Sequence, residues 1–401
     1  MSEAVIIDAI RTPIGRAVKG TLRDIRADDL AAVPLRALVE RNPEVDFAQT
    51  DDIMMGCGFP DHEQGYNIGR NALLLSGIDH HVPAVTVSRF CASSLQTIRM
   101  AFHAIRAGEG DQYIAAGVEC VSRGAAMTLP AMNPRLDGSN GDRVDGSNGE
   151  HYNVYISMGL TAENVADRCQ VSRESQDEWA ALSQQRACAA RDSGHFDREI
   201  VGVDIPEVHD AGGDVVTRHT VLLDDGPREG TTAATLGKLK PVFKPGGSVT
   251  AGNACPLNDG AAAVLVMSED RAHELGLHPR ARIVASSVAA LRPEIMGLGP
   301  IPAIRKVLST AGMTIADMDA VEMNEAFAAQ VLPCRDELGI DPDKLNISGG
   351  AIALGHPFGM TGARIMTTLL NNLDSVDGRF GLESMCVAGG MGMAMIVERL
   401  N

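Results

Sequence analysis

The strongest constraint in this sequence is a pattern of elements that occurs twice. Near the start, Val82–Ser88 is a short apolar run that reads as a strand. A helical pattern follows, with Leu95, Ile98, Phe102 and Ile105 on one face and an end near Gly108; Tyr113–Gly117 then reads as the next strand. The last third repeats the plan. Leu345–Ser348 predicts a strand, a glycine-rich turn leads into a helix over Thr361–Leu373, and Ser384–Val387 predicts another strand. Two similar small-residue segments close the two parts, DGAAAVLVMSED (259–270) and GGMGMAMIVERL (389–400). Strands alternating with helices argue for an α/β layered fold, here in two related halves. Only 3% of residues are aromatic and 42 are glycine, so the core must be built from small and aliphatic side chains, which suits close packing of helices on sheets.

Between the halves, residues 120–249 differ in character. The stretch 133–150 is rich in Asn, Asp, Gly and Ser and reads as exposed loop. Helical patterning returns at Thr161–Arg168 and Ser172–Arg191, where Ser172 with Ser175 looks like a helix start. A long insertion between two α/β halves is a natural place for substrate-contacting loops.

The chain of 401 residues is long enough for two or more domains with full cores. Its formal net charge of −17 opposes non-specific binding to DNA or anionic membranes, and so few ring faces argue against a reader of single-stranded nucleic acid. An anionic substrate needs a local basic patch. One candidate holds Arg228, Lys238, Lys240 and Lys244, a grouping that charge alone does not distinguish from a solvated loop face. No targeting segment or membrane-spanning apolar run is visible, so the expected location is cytoplasmic, without membrane insertion. The eight cysteines form no CxxC pair, which predicts reduced thiols rather than a disulfide frame or a metal site.

Four segments carry candidate chemistry. VSRFCASSLQTI places Cys91 between a strand and a helix, where free N–H groups and the helix dipole favour a thiolate, the form that attacks a thioester. An ordinary buried cysteine fits that segment too. GGAIALGHPFGMTGAR (349–364) holds His356 in a rigid turn before a helix, where it can take a thiol proton or polarise an oxygen; a turn histidine bonded to its neighbours is the plainer alternative. SMCVAGGMG (384–392) puts Cys386 at a strand end entering a glycine turn, in place to act as general acid/base. MNEAFAAQ (323–330) offers Asn324 at an expected helix start, either to orient a water or donate to an oxyanion, or simply to cap the helix. Pairs such as His80–His81 read as ordinary surface. No GxSxG, HExxH or GxxxxGK[ST] motif is present, the acidic spacing of DGSNGDRVDGSNGE (137–150) does not match a calcium loop, and the C-terminal glycines lie too late to open a dinucleotide-binding unit.

Taken in order, Cys, Asn-Glu-Ala-Phe, Gly-His-Pro and the C-terminal cysteine turn resemble the thiolase family. The resemblance extends through DAIRTPIGR (8–16), SMGLTAENVA (157–166), LKPVF (239–243) and AGNACPLNDGAAA (251–263), so it covers essentially the whole chain. It implies a thiolase fold: two βαβαβαββ halves in a five-layer αβαβα sandwich, with residues 1–119 plus 250–272 as the first half, 120–249 as an inserted loop domain and 273–401 as the second half. It implies a homodimer or homotetramer, acyl-CoA and CoA as substrates, and no permanently bound cofactor or metal. Cys91 matches the acylated nucleophile, His356 its activator, Cys386 the acid/base at the substrate α-carbon and Asn324 the residue that fixes a water in an oxyanion hole. The backbone N–H groups of Cys91 and Ala388 match a second hole. Met158, Arg228, Thr235 and Cys255 match positions that contact CoA.

Three departures stand out. The tract after the nucleophile is ASS (92–94) where a glycine is usual, Ala388 stands where Gly is frequent, and Cys255 stands where a CoA-contacting serine is common. Ser157 occupies a position that is often His in acetoacetyl-CoA-forming members. SMGLTAENVA, GPREGTT and SMC are more similar to the degradative 3-ketoacyl-CoA type. The expected activity is therefore thiolytic cleavage of a 3-ketoacyl-CoA, with acetoacetyl-CoA synthesis as the alternative. A decarboxylating ketoacyl synthase is disfavoured by Cys386, where a histidine would be expected. A non-catalytic acyl-CoA-binding relative should lack one of the reactive residues, and all are present.

Overall fold

The computed structural model describes residues 2–124, 132–137, 152–206 and 217–400. Most of the segment 133–150, including all but the first residue of the glycine-rich run 137–150, lies outside the described residues. In chain order the elements are β1 (Ala4–Arg11), β2 (Gly15–Arg16), α1 (Ala27–Arg41), β3 (Asp52–Cys57), α2 (Ile68–Ser76), β4 (Ala84–Val87), α3 (Ser93–Ala107) and β5 (Gln112–Cys120). Then come α4 (Met158–Cys169), α5 (Arg173–Asp192), the hairpin β6 (Val203–Pro206) and β7 (Thr217–Val221), and α6 (Ala233–Leu236). The chain continues through β8 (Asn258–Ser268), α7 (Glu269–Glu274), β9 (Ala281–Ala290), α8 (Pro300–Ala311), β10 (Ala320–Met323) and α9 (Ala328–Leu338). It ends with α10 (Ala351–Leu354), α11 (Thr361–Ser375), β11 (Phe380–Val387) and β12 (Met391–Arg399).

Strand order shows the duplication. One half runs β4-β3-β5-β8-β1, with parallel pairing for the first two contacts and antiparallel pairing for the last two. The other runs β10-β11-β12-β9, with one parallel contact and then two antiparallel ones. The place equivalent to β4 is taken by Leu345, which makes a single parallel bridge to Val321. This corrects the strand expected over Leu345–Ser348: Asn346 adopts a left-handed backbone there, and that turn ends the pairing after one residue. The halves join where β1 meets β9, through Val5↔Arg282 and Ile6↔Ala281, so hydrogen bonding runs from one outer edge to the other.

Side-chain alternation along the strands builds the layers. On β8, Ala262, Val264 and Val266 face a central cluster with Leu95 and Ile98 of α3 and Met366 and Leu369 of α11. Ala261, Ala263 and Leu265 point the other way, onto Leu30, Leu35 and Leu38 of α1. On β12, Met393 and Met395 join the central cluster, while Ala394 and Ile396 face α8 and α9. The sequence of layers is α1/α2, sheet, α3/α11, sheet, α8/α9. The packing is close because small residues allow it. A Cβ on Gly362 would sit 2.2 Å from the Leu95 nitrogen, and one on Gly117 2.1 Å from the Gly359 carbonyl oxygen.

Helix ends follow local chemistry. Gly108 closes α3 in the left-handed region at φ 76°. The Ser172 hydroxyl accepts the Ser175 N–H at the start of α5, as the sequence predicts, and Ser157 caps α4 in the same way through Leu160. All eight cysteines are free thiols. Among the described residues no helix is long and apolar enough to cross a membrane.

Candidate active site

The two central helices bring the two halves of the site together at their N-terminal ends. Cys91 sits in a short 3-10 turn (Phe90–Ala92) that leads into α3, and His356 lies five residues before α11. The first turns of these helices touch: the Ala363 N–H donates to Ser94 Oγ at 2.9 Å, beside the Gly362–Leu95 contact. The ASS tract thus has a structural use. Ser94 satisfies a free N–H of the partner helix, while Ser93 Oγ accepts the Arg89 N–H and donates to the Phe90 carbonyl.

Cys386 arrives from the end of β11, whose strand packs on the Cys91 turn. Two residues on, the Ala388 N–H donates toward the Cys91 sulfur, as does the N–H of Cys91 itself. These are the two donors expected for an oxyanion hole. Gly389 and Gly390 take φ of 81° and 83° to make the turn; Ala388 does not need such a backbone, so its side chain is tolerated.

The thiolate expected from the helix start is not the resting form. Burial pushes the Cys91 thiol up to about 12, against the two N–H groups that stabilise the anion, and the Glu119 carboxyl adds to the rise. Desolvation outweighs the few partial charges of a one-turn helix end. Cys386 is also raised well above the ordinary thiol range, by burial and then by the neighbouring Cys91 sulfur, so both thiols rest neutral.

His356 is buried and locked. Its Nδ1 lies 2.6 Å from Thr361 Oγ1, whose own hydrogen is donated to the Pro357 carbonyl at 2.7 Å. Thr361 therefore accepts from Nδ1–H, which leaves the lone pair on Nε2. Nε2 faces Asn324 Nδ2 at 3.3 Å. Burial, then the Arg364 charge, holds the imidazole down to about 3, so it is neutral and available as a base.

Asn324 is not a helix cap. It follows β10, with its N–H on the Ser384 carbonyl at 2.9 Å, and α9 starts only at Ala328 after Phe327. The β pairing carries the chain past the expected helix start. The Asn324 Oδ1 atom is buried without a protein partner, which fits an acceptor waiting for a water. Glu325 anchors the segment. Its carboxylate accepts from Trp179 Nε1 (3.1 Å), Ser183 Oγ (2.6 Å), Asn346 Nδ2 (2.9 Å) and the Ile352 N–H (3.2 Å).

Two groups that sequence motifs did not single out hold the His356 turn in place. Glu119, fully buried, accepts from the backbone N–H of Gly58 and Gly359 at 2.8 Å each and lies near the Cys91 sulfur. Asn258 accepts the His356 N–H at 3.0 Å. A chain of rings also runs from Phe90 through Phe59 and Phe358 to His356, with centroids 5.8, 5.8 and 5.1 Å apart. The signal available in sequence was only a buried-type strand ending in an acid, which is too common to choose Glu119.

The four expected CoA contacts divide. Met158 packs on an apolar cluster that includes Cys386 and Phe327, and Phe243 lies over Gly159 with its ring 6.2 Å from Phe327. Cys255 is held to the Asn324 segment by its N–H on the Ala326 carbonyl at 3.0 Å; burial raises its thiol, with the Cys91 sulfur the next cause. Arg228 lines an open pocket of about 530 Å³ with Thr231, Thr232 and Ala233. The Thr235 hydroxyl is engaged in the capping box of α6 with Thr232, so it is already partnered. Of the other basic residues, Lys244 pairs with Asp167 at 2.5 Å. Asp79, His80 and His81 cluster on the surface, far in sequence from these groups, as an exposed set.

Comparison with known proteins gives the same picture. The family model for the thiolase N-terminal domain matches residues 4–270 and that for the thiolase C-terminal domain matches residues 277–399. A β-ketoadipyl-CoA thiolase of Acinetobacter baylyi is 47% identical over 408 residues, and a 3-ketoacyl-CoA thiolase of Cronobacter sakazakii is 47% identical over 404; all of both chains is covered in each case. The crystal structure of a Bacillus anthracis acetyl-CoA acetyltransferase superposes with a TM-score of 0.87 at 38% identity, covering 100% of this chain and 99% of that one. With the paired α3 and α11 carrying Cys91 and His356 to one place, and with both family models matched nearly end to end, this chain belongs to the thiolase family.

Proposed function

We propose that this protein cleaves 3-ketoacyl-CoA with CoA, giving acetyl-CoA or propionyl-CoA and a shortened acyl-CoA through an acyl-Cys91 intermediate. The observation that carries the reading is the locked neutral His356, set at the meeting of the helices that also present Cys91. A partly buried thiol and a buried imidazole that both rest neutral form a charged pair only when a substrate arrives to stabilise it.

The steps follow from the residue types. His356 Nε2 takes the Cys91 proton as the sulfur attacks the 3-keto carbon, and the backbone N–H groups of Cys91 and Ala388 receive the developing oxyanion. Cα–Cβ cleavage leaves an enolate on the departing acetyl-CoA. Its oxygen is held by a water on Asn324 and by the now protonated His356, and Cys386 gives its proton to the α-carbon. The Cys386 thiolate then deprotonates CoA, whose sulfur takes the acyl group from Cys91, and the departing Cys91 thiolate recovers its proton from His356. Residues 120–249 act as the loop domain between the halves 1–119 plus 250–272 and 273–401, and Met158, Arg228 and Cys255 lie along the CoA path. Thr235 contributes by capping α6 near that path. The working form is a homodimer or homotetramer in the cytoplasm.

Relatives named for 3-ketoacyl-CoA and for β-ketoadipyl-CoA match equally well, so the acyl chain is decided by assay. The test is mass spectrometry of the protein after mixing with a 3-ketoacyl-CoA: the acyl adduct is expected on Cys91 and absent in Cys91→Ala. Full turnover by Cys91→Ala would remove the proposal. In kinetics, a C6 or longer 3-ketoacyl-CoA is expected to outperform acetoacetyl-CoA; the reverse order would favour the acetoacetyl-CoA-forming type.

A further inference from the structure

The C-terminal ends of β3 and β5 form a seat on which both reactive turns rest. The two strands pair in parallel there, with Gly56 beside Gly117 and Cys57 beside Val118. The turns reach backbone contact because the seat is built from small residues. A Cβ on Gly56 would overlap the Ser94 nitrogen in the first turn of α3, and one on Gly117 would overlap the Gly359 carbonyl oxygen in the turn after His356. A Cβ on Gly359 would lie 2.7 Å from the Cys57 Cα. By chain order His356 belongs to the second half, yet its turn is docked on strands of the first.

Glu119, near the end of β5, is the buried acid at this seat. Its Oε2 accepts the Gly58 and Gly359 N–H groups at 2.8 Å each. Its Oε1 accepts from Gln64 Nε2 at 2.9 Å and from the Phe59 N–H at 3.3 Å. All four partners donate, so the pocket fits a carboxylate; a protonated acid would set an O–H against an N–H. Gln64 cannot turn over to help, because its Oε1 accepts the Cys120 N–H and its Nε2 also donates to the Phe59 carbonyl at 2.7 Å. The Gly58 carbonyl in turn accepts the Ser88 hydroxyl at 3.0 Å, just ahead of the Cys91 turn. A hydrogen-bonded path therefore runs from Ser88 through Gly58 and Glu119 to Gly359.

We propose that Glu119 is a positioning residue that holds the Cys91 turn and the His356 turn at the separation proton transfer needs. The inference rests on the thiolase reading. Glu119 acts through the backbone of two turns and not on the substrate. One carboxylate oxygen receives an N–H from each side at once, so the two turns share a single anchor. Proton transfer from sulfur to imidazole depends steeply on that spacing.

Single-turnover acylation of Cys91 by a 3-ketoacyl-CoA tests the assignment. Glu119→Met keeps the length and removes both acceptors. Its maximal acylation rate is expected to fall by roughly 10- to 100-fold, with the half-saturating substrate concentration unchanged. Glu119→Gln leaves one oxygen for Gly58 and Gly359 and should recover most of the rate. Ser88→Ala, at an exposed position, loosens only the Gly58 carbonyl and should slow acylation by roughly 3-fold. A wild-type rate in Glu119→Met, or a change confined to the half-saturating concentration, overturns the proposal. Should the methionine variant not fold, Ser88→Ala decides, and wild-type acylation there overturns it. The wild-type protein checks the underlying reading separately: no acyl adduct on Cys91 would overturn that reading, whatever the variants show.

Discussion

The Nδ1 atom of His356 and the hydroxyl oxygen of Thr361 lie 2.6 Å apart, and that contact fixes which nitrogen of the ring is basic. Because Thr361 gives its hydrogen to Pro357, it can only accept from the ring. Thr361→Val keeps the shape and removes the acceptor. The expected result is a fall in kcat of roughly 10- to 100-fold with little change in KM, a part of the usual general-base contribution. Thr361→Ser should restore most of the rate. Unaltered kcat in the valine variant would show that the tautomer is set elsewhere.

Stability should fall on both sides of neutrality, and the two active-site groups set the sides. His356, held down to about 3, is neutral in the fold, while an unfolded histidine protonates below about 6.5. Its contribution is present above that value and lost as pH falls through it toward 3. Cys91, pushed up to about 12, keeps its proton in the fold, while an unfolded thiol loses it above about 8.5. That contribution is present below 8.5 and lost as pH rises toward 12. Denaturant melts of wild type and His356→Asn across pH 5–7 test the acid side: the wild type should lose more stability on acidification than the variant.

The same raised thiol makes a chemical prediction. Iodoacetamide should label Cys91 slowly in the free enzyme at pH 7, and the rate should climb steadily through pH 9 without a plateau near the ordinary thiol value. A plateau below pH 8 would mean that the resting form is a thiolate.

Gly350 leaves no room for a side chain. A Cβ there would lie 2.1 Å from the Glu325 carboxyl carbon, in the network that holds the Asn324 segment. Gly350→Ala should destabilise the fold by about 1–3 kcal/mol and lower kcat as Asn324 shifts. Thermal melts and steady-state rates report the two effects; a variant with wild-type values of both would separate the network from catalysis.

Cys255 gives a gain-type test. Its thiol is a weaker donor than a hydroxyl, and it sits on the backbone of the Asn324 segment. Cys255→Ser should lower KM for CoA by roughly 2- to 5-fold, the worth of one added hydrogen bond. A raised KM would place Cys255 against the acyl chain rather than the CoA arm.

Much of the fold was legible because local pattern and global architecture agree. The Leu95–Ile105 stripe, the Ser172 start of α5 and the small-residue run of β8 and β12 each state their own structure, and their recurrence announces two halves. The two misreadings have different causes: a left-handed turn at Asn346 ends the pairing of one expected strand, and strand pairing carries the chain past an expected helix start. Leu345 keeps one bridge where a strand was expected, and Asn324 stays on the end of β10 where a helix start was expected.

The sequence by itself determined the chemistry available: a cysteine before a helix, a histidine in a rigid turn and a second cysteine on a glycine turn, in an order that marks the family. Only the tertiary structure decided their protonation and their proximity. Both depend on burial, and burial is a property of the surroundings: the same Cys91 would favour a thiolate at a solvated helix end, yet rests as a thiol among Ala388, Cys386 and Glu119.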